Sequence, residues 1–449
     1  LLPFTLTIDE FFKKSINLNT MKYCEEEQRV LFLSEAIKNT NIQKLGISDN
    51  FTKFLKQSDY IYRFFLELAN EKVEIKDIQN VDTYDFYLEH LQILETIKTN
   101  YINILEKNSY VDKINLDNHY KINENFLKKF EEIELHFEGY FTKVEFEIVE
   151  KISKFINVKI NFYSNTYNQR SLEVFKNMNI DLKIDFNYKI DLTNKLVLQE
   201  EKNKKNLQSL EIKGFSSRLN QIAYIKDSIV KSVQKGVNPS RIALVLPDET
   251  FASYIQLFDT EKYFNYAMGK TIKNTNLYQV AYAIYSYLSE DDIKHISNLD
   301  FLKLDKNFID KNIKSIWNKK ASKENFEFIS DFIKSKDDSA ELLEKYDELL
   351  YKLNIIVFSN DNVILLKDVY KIFLQKLVKL TLDDINSGKV TVLGLLETRA
   401  VEFDTVIICD FNESFIPKIS VKDKFLSTKL KQLSNLPTQF DRESLQKYY

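Results

Sequence analysis

The sequence predicts an α/β protein made of two parallel-sheet units, each interrupted by a large helical insertion. Three observations carry this. Ile242–Leu246, Val390–Leu395 and Thr405–Cys409 are continuous apolar runs rich in Val, Ile and Leu, as expected of strands covered on both faces of a sheet. Ile133, Leu135 and Phe137 alternate, a helical pattern follows at Phe146, Val149, Ile152 and Ile156, and Val158, Ile160 and Phe162 alternate again. That is a βαβ unit, whose right-handed crossover sets both strands parallel. Between these segments, apolar residues recur for long stretches at helical spacing.

At 449 residues the chain exceeds one ordinary core, so two to four domains are expected. The 63 Lys and Arg against 66 Asp and Glu leave a net charge of −3, which argues against indiscriminate coating of nucleic acid. A local basic stripe remains compatible with that balance. Cys24 and Cys409 are too few and too far apart for a disulfide framework or a cysteine metal site. No apolar run is long enough to span a bilayer and no signal-peptide pattern opens the chain, so no membrane partner and a cytoplasmic location are expected. The chain starts without Met and stops at Tyr448-Tyr449 inside a helical pattern, and is read as a piece of a longer protein.

Taken in order, Phe4–Thr7 reads as a short strand and Asp9 as the N-cap of the helix that follows. Phe54, Ile61, Phe64, Phe65 and Leu68, then Tyr87, Leu91, Leu94 and Ile97, mark a helical insertion over about 16–125 within a first unit spanning 1–207. Thr142 is placed to cap the helix of the βαβ unit. A hairpin is expected around Asp191–Lys195, and Asp191 with Glu200-Glu201-Lys202 matches a metal-nuclease pattern that a Lys/Glu-rich chain produces by chance. Ser209–Phe215 reads as a strand leading into a helix with Ile222, Ile225 and Ile229 on one face, ended by Gly236 and Pro239. The second unit comprises 208–265 and 386–449, with a helical insertion over 266–385 between them. His295 and Trp317 stand alone and are read as packing or surface residues.

Thr7 with Phe11-Phe12, Glu138-Gly139, Ser217-Arg218, Ile242–Glu249, Glu397-Thr398-Arg399, Asn412-Glu413 and Asp441-Arg442, in this order, resemble segments of superfamily 1 DNA helicases, and most closely of the AddB-type subunits of bacterial AddAB helicase–nucleases, relatives of the RecC-like inactive helicases. Thr7 with Phe11-Phe12 is similar to the strand–Thr–helix element after a helicase phosphate loop. Glu138-Gly139, Phe141-Thr142 and Glu145 match an AddB-like strand end. Ser217-Arg218, Gln221 and Ile242–Glu249 resemble the start of a second RecA-like lobe around motif IV, and Asn265, Met268 and Gly269 fit the strand before the next insert. Glu397-Thr398-Arg399, Glu402, Phe403-Asp404, Asn412-Glu413 and Pro417 are similar to motif V and its following strand. Asp441-Arg442 and Tyr448-Tyr449 match the order of motif VI.

The resemblance implies two RecA-like, P-loop NTPase-type lobes of superfamily 1 helicase kind and a part in double-strand-break processing and recombinational repair. Its partners would be DNA, as double-strand ends and single strands, and an AddA-type helicase–nuclease subunit; a PD-(D/E)XK nuclease domain would follow the present residues. The side chains of catalysis depart from the pattern. No Gly-x-x-x-x-Gly-Lys-Ser/Thr loop is present, His136-Phe137-Glu138 lacks the adjacent Asp-Glu that holds Mg²⁺, and Pro247 stands where active helicases place an Arg. No catalytic residue, metal site or cofactor is therefore expected here, with ATP and Mg²⁺ bound only if a phosphate loop precedes Leu1. Glu402 and Arg442 are candidates for a vestigial nucleotide cleft, and Thr7, Arg218, Lys389, Thr398 and Arg399 for DNA contact. The alternatives are an active DNA-dependent ATPase and a protein-interaction scaffold that does not bind DNA.

Overall fold

The computed structural model of the chain describes residues 3–79, 85–203, 209–289, 293–358, 364–383, 389–398, 401–418 and 423–448. Helix α1 (Ile8–Ser15) starts one residue after Thr7, whose hydroxyl accepts from the Glu10 N–H while the Glu10 carboxylate accepts from the Thr7 N–H. This capping box satisfies two orphan helix donors and fixes Thr7, not Asp9, as the cap. Phe4–Thr7 forms no strand.

Helices α2 (Glu26–Ala36), α3 (Phe51–Asn70) and α4 (Asp85–Lys107) build the first helical body. Its core holds Phe32, Phe54, Ile61, Phe65, Leu68, Leu94, Ile97 and Tyr101. A buried carboxylate sits within it. Asp112 accepts from Tyr62 Oη at 2.9 Å and Tyr101 Oη at 2.5 Å, and the Arg29 guanidinium lies 3.8 Å from the Tyr62 ring centroid. Paired in this way, the charge is tolerated where an isolated one would not be.

The first sheet follows: β1 (Glu132–Phe137), helix α5 (Lys143–Ile152), β2 (Asn157–Ser164), helix α6 (Gln169–Lys176), β3 (Phe186–Asp191) and β4 (Leu196–Lys202). β1 and β2 are parallel with α5 crossing between them, as the sequence predicts, and Thr142 caps α5 in a second capping box with Glu145. The expected hairpin also forms, and it makes this sheet mixed, because β3 and β4 each return antiparallel. One face is apolar, with Leu135, Phe137, Val158, Ile160, Phe162, Tyr188 and Ile190. The other carries a polar ladder in which Glu132 meets Lys159 at 2.6 Å and Glu134 meets Lys189 at 2.9 Å.

Ser209–Phe215 is no strand: the segment joins no ladder, and Leu210 and Ile212 are largely exposed. Helix α7 (Arg218–Gln234) leads into β5 (Ile242–Leu246), helix α8 (Phe251–Phe258) and β6 (Phe264–Tyr266). A two-stranded antiparallel ribbon, β7 (Lys270–Thr271) with β8 (Thr381–Leu382), then frames the second helical body. That body includes α9 (Asn276–Ser289), α10 (Lys323–Lys334), α11 (Ala340–Phe358) and α12 (Leu366–Leu377), packed around Tyr346, Tyr370, Phe373 and Trp317. Beyond the ribbon, β9 (Val390–Gly394) and β10 (Thr405–Ile408) complete a second sheet of order β6-β9-β5-β10 in which every pair is parallel.

α7 and α8 cover one face of this sheet through Ile222, Ile225, Phe251 and Ile255. β5 is buried along its whole length, as its apolar run requires. β10 departs from the expectation of burial on both faces. It is an edge strand, with Val406 and Ile408 about half exposed. Helices α13 (Thr428–Leu433) and α14 (Gln439–Tyr448) close the description; Phe425, Leu426, Leu430 and Leu436 enter the core of the first helical body rather than that of the second sheet. The two helical bodies also meet: Leu31 and Leu55 belong to the second body's core, and Lys376 bridges Glu26 and Glu27 at 2.9 and 2.7 Å.

Candidate functional site

Two places collect the functional candidates, and both follow from strand direction. In parallel sheets side chains with chemical roles gather beyond the carboxyl ends of the strands. At that edge of the second sheet, α7 begins with Ser217 as N-cap and presents Arg218. The guanidinium reaches Asp248 Oδ2 at 2.6 Å, just past β5, and Asp410 Oδ2 at 2.8 Å, just past β10. Gln221 holds the same aspartate twice, accepting from the Asp410 N–H at 2.9 Å and donating to Asp410 Oδ1 at 3.1 Å. Burial alone would raise the Asp248 carboxyl, but hydrogen bonds from Thr250 and Arg218 hold it below its usual range.

Beside this knot, two carboxylates converge over Gly394. A Cβ at that position would meet Glu397 Oε2 at 2.7 Å and Glu249 Oε1 at 2.8 Å. Glu397 accepts from the Gly394 N–H. Glu249 is pushed above its usual value, first by burial and then by the Glu397 charge, with Lys418 opposing. The edge thus presents four carboxylates to Arg218 and Lys418, a field that disfavours a phosphate chain.

The second place is a groove of about 330 Å³ between the carboxyl ends of β1 and β2 and the C-terminal helix α14. Two carboxylates one turn apart at the C-terminal end of α3, Glu67 in its last turn and Glu71 as its C-cap, organise it. Glu71 accepts from Tyr140 Oη at 2.7 Å and from Arg170 Nη2 at 3.2 Å, and Arg170 Nη2 also donates to the Asn435 carbonyl at 2.8 Å. Glu67 takes Lys431 Nζ at 2.6 Å together with the Arg442 guanidinium. Farther along α14, Tyr448 Oη donates to Glu138 Oε2 at 2.7 Å, at the end of β1.

A scan of the chain against protein-family profiles finds no match, and no curated protein matches it. Among the described residues no group of three His, Cys, Asp or Glu side chains is placed to hold a metal ion, and no helix is long and apolar enough to cross a membrane.

The structure separates the predicted site residues. Arg218 and Thr398 lie at the carboxyl edge of the second sheet, where Arg218 is taken up by two carboxylates and Thr398 Oγ1 donates to the Leu395 carbonyl at 2.7 Å. Lys389 and Glu402 stand at the opposite, amino edge, beside the Arg241–Asp404 pair at 2.9 Å. The length of β9, about 16 Å at 3.3 Å per residue, thus divides Lys389 from Thr398, and they form no single stripe. Glu402 and Arg442 likewise share no contact: Glu402 is exposed, whereas Arg442 is held by Glu67. Thr7 spends its hydroxyl on Glu10. Arg399 lies outside the described residues. Asp191 is occupied with Asn194, and Glu200 with Lys183, so the nuclease-like string builds no site.

Sequence reading missed Glu67, Glu71, Arg170 and the Glu249–Glu397 pair. A signal for the first two existed. They sit at i and i+4 at the end of a helix whose neighbouring positions, Phe64 and Leu68, are core residues, so at least one carboxylate had to be drawn inside and paired.

Proposed function

We propose that this chain is the helicase-like, DNA-guiding scaffold portion of an AddB-type subunit. It acts beside an ATP-driven AddA-type partner in processing double-strand ends for recombinational repair, without hydrolysing nucleotide itself. The observation that carries this reading is the second sheet. The four strands next to the helicase-like segments, 242–246, 264–266, 390–394 and 405–408, join in one all-parallel sheet, and the helical body leaves it between the second and third. That connectivity supports a RecA-like second lobe carrying an insertion.

The groove supports the absence of fuel chemistry. Glu138, where a magnesium-binding pair would stand, accepts from Tyr448, and Arg442, in the place of a nucleotide-contacting arginine, is bound by Glu67. Both side chains are engaged in holding α14.

The test is fluorescence anisotropy with a tailed DNA duplex at low salt, paired with an ATP hydrolysis assay. The expected result is binding that weakens with salt and no DNA-stimulated hydrolysis. Lys389→Ala should reduce the salt slope by about 0.7–0.9. DNA-stimulated turnover would establish the ATPase alternative. No binding at low salt, with Arg399→Ala inert, would leave the protein scaffold. One observation favours that last reading: the acidic carboxyl edge lies near an edge strand, β10, whose Val406 and Ile408 are open to solvent.

A further inference from the structure

The groove at α14 has chemistry of its own. Its two cations, Arg170 and Arg442, are committed to Glu71, the Asn435 carbonyl and Glu67, while Asp441 and Glu173 add negative charge to the lining. A polyphosphate therefore meets no open cation among the described lining residues. Beside Tyr140, which is bonded to Glu71, two exposed rings line the same space, Tyr167 from the segment after β2 and Phe440 from α14, with 45% and 73% of their surface exposed. The Gln169 side chain is exposed beside them and offers an amide donor and acceptor. The volume, about 330 Å³, is at the small end of ligand pockets and limits a guest to one ring system and its sugar.

We propose that this groove takes a single unpaired nucleobase from a DNA strand, stacked on Tyr167 and Phe440 with its edge toward Gln169, while the flanking phosphates stay in solvent. Stacking suits a ring-lined site without an open cation because every base offers a π-face, whatever its sequence. The inference rests on the DNA-guiding reading and adds to it a subsite where the strand is held by its bases. It also gives the groove a use other than nucleotide binding.

The experiment compares a ten-nucleotide oligo-dT with an abasic oligomer of the same length and charge, by anisotropy at low salt. The chain should prefer oligo-dT by about fivefold or more. In the Tyr167→Ala/Phe440→Ala variant the two oligomers should bind equally, at the affinity the wild type shows for the abasic chain. Tyr167 is about half exposed and Phe440 largely so, and neither belongs to a buried core, so the variant should unfold close to the wild-type urea midpoint. If the variant keeps the preference for oligo-dT, the subsite is overturned while DNA guidance stands. If neither oligomer binds, both readings fall. Competitive displacement of oligo-dT by Mg-ATP would overturn the subsite by returning the groove to a nucleotide.

Discussion

The Lys431 ammonium lies 2.6 Å from the Glu67 carboxylate, with 5% and 13% of the two side chains exposed. Glu67 belongs to the first helical body and Lys431 to the segment after the second sheet, so this contact fastens the end of the described chain to its N-terminal half. Removing one partner of such a pair leaves a charge buried without compensation. Arg442 still serves Glu67, but Asp423, 2.8 Å from Lys431, loses its cation. Lys431→Ala should cost about 3 kcal/mol in urea unfolding and make the segment after Pro417 an early site of proteolysis.

The seam between the two helical bodies should be acid-sensitive. Burial would raise Glu26, yet Lys376 and Lys379 together hold its carboxyl down at about 2. A depressed carboxylate contributes its stability above the ordinary value of 4.5 and loses it as the pH falls toward 2. Because 43% of this side chain is exposed, solvent screening keeps the contribution small. Wild type should therefore lose more of its thermal midpoint between pH 6 and pH 3 than Glu26→Gln does.

Glu249 has the opposite sign. Burial and the Glu397 charge raise it above its ordinary 4.5, so the fold prefers the protonated acid. The associated stability is full below 4.5 and declines as the pH rises through the elevated value. Glu249→Gln should melt higher than wild type at pH 7, and the advantage should vanish by pH 4. A wild-type advantage at pH 7 would mean that the carboxylate, not the acid, is the form this edge accommodates.

Gly269 stands just before the β7–β8 ribbon with φ at +73°. A Cβ there would lie 2.9 Å from Thr381 Cβ and 3.0 Å from the Leu382 carbonyl. Both the backbone conformation and the contact resist a side chain. Gly269→Ala should cost about 2 kcal/mol or more, read as a lowered urea midpoint.

Much of the fold was legible because strands and helices are written locally. The all-apolar Ile242–Leu246 could only be a covered strand, and Thr142 with Glu145 spells a helix start. The misreadings came where local pattern competes with distant partners. Ser209–Phe215 has strand-like residues but finds no neighbour to pair with, and Thr405–Ile408 pairs on one side only. The candidate sites were less legible. Arg218 and Arg442 looked available for phosphate because their carboxylate partners lie far along the chain, at Asp410 and Glu67. Charge neutralisation across such separations leaves no trace in local spacing.

β6 and β9 are direct neighbours, Tyr266 against Val392, although more than a hundred residues intervene. Just beyond them Lys270 pairs antiparallel with Leu382, so the second helical body leaves and rejoins this unit through two stems about 5 Å apart. A module attached in this manner can be lengthened, shortened or exchanged without disturbing the strand alignment beneath it, so the same platform can be refitted for different cargo. The sheet, however, cannot close until everything hung from it has been synthesised.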